Sequence, residues 1–375
     1  MDLVIVDHHD INVNLSHPNI ETVKAQDLSD FYSKVRSYLV KDYDLVISDE
    51  DPDGITSVMV YCLFKGKFVN FKGNRSGLKK NDVQDLESNG IHTILAFDWF
   101  PLEFTDLSAF DKIIYLNPQK SVMINVNTSE IVYQSLPETG KKGRDISAVG
   151  SICDYLILNC PVKFKEFLLD YNDLFNENYT LLMENKLNQN NVLTFEGKNT
   201  KLYDLSLMFW APFIINGEDG NNDIIKYVIE DKDFNIRNLF TESDSSSANK
   251  IKNSYNELLG IIDEEKKSFY NERTLLGDIS FYYPKTHRAG FMSKFSSIIA
   301  DELPEKSLVV IRSLSNDKST MKYSLRTIYN YGLGKLLVEL GVGGGHDKAA
   351  GCVIPKDKQE WFEAELVSRI SKFNN

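Results

Sequence analysis

Short apolar runs alternate with helical patterns through the first half of the chain, and this alternation leaves few architectures open. Leu3–Val6 is an apolar run that ends in Asp7-His8-His9. The stretch 27–40 places Leu28, Phe31, Tyr32, Val35 and Leu39 on one helical face. Leu45–Ile47 is a second apolar run, followed by Ser48-Asp49-Glu50-Asp51-Pro52-Asp53-Gly54 and a predicted helix over 55–64. A third run, 91–97, ends at Asp98, and a fourth, 112–116, ends in Asn117-Pro118. Strands feeding helices in this order predict an α/β fold: a doubly wound, mainly parallel sheet with right-handed crossovers.

The second half repeats the alternation after an interruption. Helices are predicted over 147–158 and 160–175, an Asn-rich surface loop over 185–199, and an apolar segment around Asp204 over 202–209. The run Thr241-Glu-Ser-Asp-Ser-Ser-Ser-Ala reads as a linker, followed by a connecting helix over 250–270. A second α/β pattern follows, with strands at 278–283, 308–312, 321–328 and 352–354 and helices at 291–301, 333–340 and 359–372. A chain of 375 residues exceeds one ordinary core. The expected division is a domain over 1–240, a linker and connecting helix over 241–272, and a smaller α/β substrate-binding domain over 273–375.

Fifty-four acidic against 42 basic residues leave a net charge of −12, which argues against a broad basic coat for nucleic acid. It leaves room for a metal-dependent nuclease, whose carboxylates surround ions. No apolar stretch is long enough to span a membrane, and the amino terminus lacks the basic region of a signal peptide. Cys62, Cys153, Cys160 and Cys352 show no paired spacing. A cytoplasmic protein with free thiols is expected.

The strand ends carry the chemistry. In an open α/β sheet the ligand crevice lies outside the carboxyl ends of the strands. Asp7-His8-His9, Asp49/Asp51/Asp53 and Asp98 therefore converge there. A single strand-end aspartate is usually a turn former or helix cap. Three in one sheet repel one another unless cations intervene. Oxygen and imidazole donors without thiolates suit Mn²⁺, with Mg²⁺ second. Two such ions about 3.5–4 Å apart would form a two-metal phosphoesterase centre.

These motifs resemble the signatures of the DHH phosphoesterase superfamily. Asp7-His8-His9 resembles its name-giving triplet. Asp49-Glu-Asp51-Pro-Asp53-Gly-Ile-Thr-Ser57 looks like the first motif of its RecJ-type exonucleases, and Leu95-Ala-Phe-Asp98 fits the second. Tyr203-Asp204-Leu205 resembles the fourth motif, Asn117-Pro118 its Asn-Pro strand, and Ser147–Ser151 the small-residue helix start that follows. Gly343-Gly344-Gly345-His346 and Ser324-Leu-Arg326-Thr are similar to the substrate-binding signatures of the DHH-associated C-terminal domain. Two departures stand out. The triplet precedes Asp49 here, whereas in the family it follows the Asp98-type motif. Trp210-Ala-Pro212 occupies a region where the family's exonucleases often carry another aspartate. If the triplet has simply changed its place in chain order, Leu3–Val6 should lie parallel beside the strand that ends at Asp98.

The resemblance implies His8, Asp51, Asp53, Asp98 and Asp204 as metal ligands, with Asp98 bridging two Mn²⁺ ions. It implies that Asp7 and Asp49 orient water or imidazole, and that His9 contacts the scissile phosphate or protonates the leaving oxygen. It gives Arg326, Gly343, Gly344, Gly345 and His346 the task of holding the nucleotide, with the active site between the two domains. Lys79, Lys80, Lys141, Lys142, Arg144, Arg288, Lys322 and Lys348 would form a local basic track. The activity expected is release of mononucleotides from single-stranded nucleic acid in the 5′→3′ direction. Alternatives are a nanoRNase or cyclic-dinucleotide phosphodiesterase acting on short oligonucleotides, a pyrophosphatase, or an inactive replication scaffold.

Overall fold

A computed structural model describes residues 2–6, 20–22, 27–73, 78, 80–98, 110–116, 126–154, 161–187, 192–195, 198–315 and 317–374. In chain order the elements are β1 (Asp2–Val6), β2 (Ile20–Thr22), α1 (Leu28–Leu39), β3 (Leu45–Ser48), α2 (Pro52–Lys65), β4 (Phe71–Gly73), α3 (Lys80–Ser88), β5 (Thr93–Phe97) and β6 (Lys112–Leu116). Then follow α4 (Thr128–Ser135), α5 (Gly140–Cys153), α6 (Pro161–Asp170), α7 (Asn176–Met183), β7 (Thr194–Phe195), β8 (Lys198–Asn199), α8 (Lys201–Asn216), α9 (Glu218–Glu230), α10 (Arg237–Phe240) and α11 (Ser246–Glu272). The last stretch holds β9 (Thr274–Leu276), β10 (Ile279–Tyr282), α12 (Phe291–Glu302), β11 (Leu308–Leu314), β12 (Thr320–Arg326), α13 (Leu333–Glu339), β13 (Gly343–Gly345), β14 (Ala349–Pro355) and α14 (Gln359–Asn374). Two compact units result, Met1–Tyr255 and Asn256–Asn375, divided inside α11.

The first unit is built on a parallel sheet in the order β2-β1-β6-β5-β3-β4. Leu45, Val46, Ile47, Ile94, Leu95, Ala96, Ile113 and Ile114 are all buried. Successive side chains of a strand face opposite ways, so both faces of the central strands are covered. This accounts for their unbroken apolar runs.

One sequence-based expectation is overturned here. β1 is parallel, but it pairs with β6, Val6 level with Leu116, and β6 separates it from β5. Lys112–Leu116 follows β5 directly and holds the place beside it, Phe97 level with Leu116. Its four apolar residues are buried on both sides, so a consecutive crossover fills that slot first. Two strand spacings put β1 roughly 10 Å from β5.

Helix boundaries also shift. α2 starts at Pro52 with Asp51 as its N-cap, so Asp53 and Gly54 sit in its first turn and not in a strand-end loop. Proline at the first helical position is favoured because its missing N–H would have had no partner there. Ser147 does not start a helix: α5 begins at Gly140 and ends at Cys153, so Ser147–Ser151 lie in its second half. The segment around Asp204 is one 16-residue helix, α8, and part of the expected loop over 185–199 is the β7–β8 ladder. The helices α3, α4 and α9 had no sequence-based counterpart.

The second unit carries a mixed sheet in the order β13-β14-β12-β11-β10-β9. Phe281, Leu308, Val310, Met321, Tyr323, Leu325, Leu337, Ile354, Phe362 and Leu366 are among the residues of one core in this unit. Among the described residues no helix is long and apolar enough to cross a membrane.

Candidate active site

The carboxyl ends of β3 and β5 point acidic residues at the start of α2. Gly54 makes this turn: a Cβ there would stand 2.4 Å from the Asp49 carbonyl oxygen, so only glycine lets α2 begin so close to β3. Asp51 Oδ1 accepts the Gly54 N–H at 3.1 Å, and Asp49 Oδ1 accepts that of Glu50 at 2.6 Å. Asp98 extends the ladder by one bond, its N–H reaching Leu116 O at 2.8 Å. Its φ of +47° lies in the left-handed region, where a non-glycine residue is uncommon and strained.

Asp53 is fully buried and is held by α4. Its Oδ1 accepts from Asn127 Nδ2 at 2.7 Å and from the Ser129 N–H at 3.0 Å, and its Oδ2 accepts from the Thr128 N–H at 3.1 Å. A helix N-terminus offers unpaired N–H groups and a positive dipole end, which suit a carboxylate. Asn127 caps the same helix, Oδ1 taking the Glu130 N–H at 3.1 Å and the Ser151 hydroxyl at 2.9 Å. Ser147 Oγ donates to Glu130 Oε2 at 3.0 Å. Asn127, Ser129, Glu130, Ser147 and Ser151 are all buried and mutually satisfied, so the Asp53 carboxylate has one fixed orientation. Asn221 on α9 adds a tie from outside, donating to Glu50 O at 3.2 Å.

The acids act on one another. Burial, then the charge of Asp51, pushes the Asp53 carboxyl up to about 7, against the opposing hydrogen bonds of Ser129 and Thr128. Asp98 is raised well above the ordinary carboxylate range by burial and then by Asp53, Asp51, Asp154 and Asp49. Asp154, which follows α5, is raised by burial and by Asp53, Asp51 and Asp49, and its carboxyl lies within hydrogen-bond reach of that of Asp53. Five carboxylates thus share one neighbourhood. The oxygen donors suit a hard divalent cation, which would relieve the repulsion. Among the described residues, however, no three His, Cys, Asp or Glu side chains stand around one ion-sized point. Asp7, His8 and His9, expected to complete the set, lie outside the described residues, as do Asn117, Pro118 and Lys79.

Asp204 lies in the first turn of α8. Its Oδ1 accepts the Tyr255 hydroxyl at 2.9 Å. Burial raises its carboxyl, while Tyr255 and Lys201 lower it. Asp154, Asn127, Ser129 and Asn221 were absent from the sequence reading, and Ser151 entered it only as part of a helix start. For Asn127 a signal existed: Asn127-Thr-Ser-Glu130 has the spacing of a helix-capping box. Asp154 had none, because its role depends on where α5 ends.

In the second unit the glycine triplet is an edge strand and not a loop. Gly343, Gly344 and Gly345 pair with Cys352, Gly351 and Ala350. A Cβ on Gly343 would meet Gly351 O at 2.3 Å, and one on Gly345 would meet Ala349 O at 2.4 Å. Backbone packing therefore requires glycine at Gly343 and Gly345. His346 follows the strand and is exposed. Arg326, level with Ala349, donates to the Ser293 and Ser297 hydroxyls at 2.9 and 3.1 Å. Of the expected basic track, Lys141 and Arg144 pair with Asp145 and Asp170, and Arg288 pairs with Glu257. Lys142 donates to Asp231 O.

Comparison with known proteins follows the same division. Residues 281–372 match the model of the DHHA1 domain. No protein of curated function matches the sequence. RecJ from Thermus thermophilus in complex with Mn²⁺ is similar in structure, with a TM-score of 0.59 and 14% identity over 91% of this chain and 54% of that one. The same protein in complex with Mg²⁺ gives 0.54 and 14% over 91% and 52%. The pGpG-specific phosphodiesterase PggH from Vibrio cholerae gives 0.44 and 13% over 88% and 99%. The chain spans about half the length of the RecJ chains it matches. Residues 281–372 are thus similar to the DHHA1 domain, and the chain carries a fold similar to that of RecJ.

Proposed function

We propose that this chain is a divalent-metal-dependent phosphodiesterase that releases mononucleotides from single-stranded nucleic acid, in the manner of a RecJ-type 5′→3′ exonuclease. The observation that carries this reading is the group of buried aspartates, Asp53 and Asp98 foremost, at the carboxyl ends of β3 and β5. Asp51, Asp53 and Asp98 would hold Mn²⁺ or Mg²⁺, and Asp49 would orient water beside them. When bound, such ions activate water and neutralise charge on the phosphodiester. The α4 N-terminus orients the Asp53 carboxyl through three N–H donors, and the αL backbone of Asp98 fixes where its carboxylate points. His8 and His9 would complete the metal set and meet the scissile phosphate. Arg326 and His346 would hold the nucleotide, the first through its guanidinium fork.

A second reading is an inactive scaffold with the same fold, in which Asp204 serves only as the partner of the Tyr255 hydroxyl. One assay separates the two. Single strands labelled at the 5′ or the 3′ end, and a dinucleotide, are incubated with Mn²⁺ or with chelator. The exonuclease reading requires labelled mononucleotide released from the 5′-labelled strand with Mn²⁺ only, and none from an Asp98→Ala variant. Strand binding without hydrolysis supports the scaffold. Hydrolysis confined to the dinucleotide, with little dependence on salt, would move the assignment to the short-oligonucleotide enzymes.

A further inference from the structure

We infer that Ser293 and Ser297 on α12 are positioning residues for Arg326: together they hold its guanidinium by one edge and so preset the cation that meets a phosphate of the nucleotide. The inference rests on the phosphodiesterase reading above, in which Arg326 holds the nucleotide.

Ser293 and Ser297 are four positions apart, so they share one face of α12. That helix packs across β11 and β12. Ser296 Oγ and Ser324 Oγ, both buried and 2.9 Å apart, pin it to β12 two residues before Arg326. Ser324 and Arg326 therefore face the same side of the sheet, and the arginine reaches α12 one position either side of Ser296 and Ser293, at Ser297 and Ser293 themselves. Its Nη2 donates to Ser293 Oγ at 2.9 Å and its Nε to Ser297 Oγ at 3.1 Å, while Nη1 donates to Leu325 O at 2.9 Å. Ser297 Oγ in turn donates to Ser293 O at 3.1 Å, so its proton is committed and a lone pair faces the guanidinium.

Nε and Nη2 form the side edge of a planar fork, and two hydroxyls on one helix face fix both its direction and its plane. The serines grip this edge and not the end edge, which carries one N–H each of Nη1 and Nη2. Carboxylates hold Arg144, Arg288 and Arg312 and offset their charge. The acceptors that grip Arg326 here are two hydroxyls and a carbonyl, which orient the group without neutralising it. Ser293 also lies in the first turn of α12, at the positive end of the helix dipole. A cation is disfavoured there until an anion joins it, so the arrangement suits a phosphate better than it suits a purely structural tie. An arginine loose in solvent loses rotamer freedom when it meets substrate, whereas one held beforehand has already lost it.

The test is a double-mutant cycle on the full chain. Affinity for a 3′-labelled single strand with a 5′ phosphate, as DNA and as RNA, is measured in chelator, and KM and kcat are measured with Mn²⁺. The Ser293→Ala/Ser297→Ala variant binds about tenfold more weakly than wild type. Its KM rises by a similar factor, and the smaller part of its loss falls on kcat. Arg326→Ala loses at least as much, and adding both serine changes to it weakens binding by less than about twofold more, because the serines act through the arginine. Ser293→Thr, which keeps a hydroxyl, binds more tightly than Ser293→Ala. Should the double serine variant fail to fold, Ser293→Ala and Ser297→Ala take its place singly in the same cycle. A folded serine variant with wild-type affinity and KM overturns the inference and leaves the phosphodiesterase reading standing. So does wild-type affinity in Arg326→Ala, or a serine loss that persists in full in that background. Strand binding without hydrolysis overturns the phosphodiesterase reading alone, since the cycle is then read from affinity. Neither binding nor hydrolysis by wild type overturns both.

Discussion

Asn127 Nδ2 donates to Asp53 Oδ1 at 2.7 Å, joining residues 74 positions apart in the chain. The amide does two jobs, since its oxygen caps α4 while its nitrogen steadies a buried carboxylate. Asn127→Ala removes both at once. Expected is a loss of about 2–3 kcal/mol, from one missing cap and the buried Ser151 hydroxyl left without its acceptor. Urea denaturation of the metal-free protein measures it, and a change under about 0.5 kcal/mol, the range of an ordinary surface substitution, would contradict the network described.

Gly150 is the contact between α5, Thr56 and Ser129. Alanine improves helix propensity by up to about 1 kcal/mol at an open position. At Gly150 its methyl meets two hydroxyl oxygens at 2.3 Å, so overpacking wins and Gly150→Ala destabilises by about 1–3 kcal/mol. Gly260 on α11 is the matched open position: a Cβ there would meet nothing within 4 Å, so alanine should stabilise. Melting temperatures of the two variants should move in opposite directions.

Stability should fall with rising pH when no metal is present. Burial and Asp51 raise the folded-state Asp53 carboxyl to about 7, and Asp98 and Asp154 are also raised. The folded protein therefore binds more protons than the unfolded chain above pH ~4. Stability declines from about pH 4 until the folded-state groups have ionised, near 7 for Asp53. The Asp53 shift alone is worth on the order of 4 kcal/mol. Mn²⁺ binds the ionised form, so its stabilising effect should be larger at about pH 8 than at about pH 5. Melting curves with Mn²⁺ and with chelator across that range give the comparison, and parallel curves would refute it.

Asp204 offers a direct contrast with Asp98. Its partner is the Tyr255 hydroxyl, which an asparagine oxygen can also accept. Asp204→Asn should leave Mn²⁺ affinity unchanged, and Tyr255→Phe should cost about 1 kcal/mol of stability. Asp98→Asn should abolish Mn²⁺-dependent hydrolysis. Calorimetric titration of Asp204→Asn against wild type decides the first point, and a large loss of affinity would restore Asp204 to the ligand set.

Much of the fold was legible because it is written in short-range patterns. The runs at Leu45, Ile94 and Ile113 could only be strands covered on both faces, and each appears where expected. The acids of β3 and β5 were legible for the same reason, since chain direction sends all parallel strands to one edge. Less was legible where a residue's meaning depends on a distant neighbour. Gly343–Gly345 suggested a phosphate cradle, and the close backbone of β14 also demands glycine at Gly343 and Gly345. Lys141 and Arg144 looked free for nucleic acid until Asp170 met them from another helix.

Periodicity and strand-end chemistry in the linear chain were enough to establish a parallel sheet, a second α/β unit and an acidic edge. They were not enough to say which strand is β5's neighbour, because any apolar run satisfies a buried slot and only competition among them selects one. Nor did they reveal Asp154 beside Asp53. That meeting depends on how closely two helices approach, which Gly150 permits but local sequence does not record.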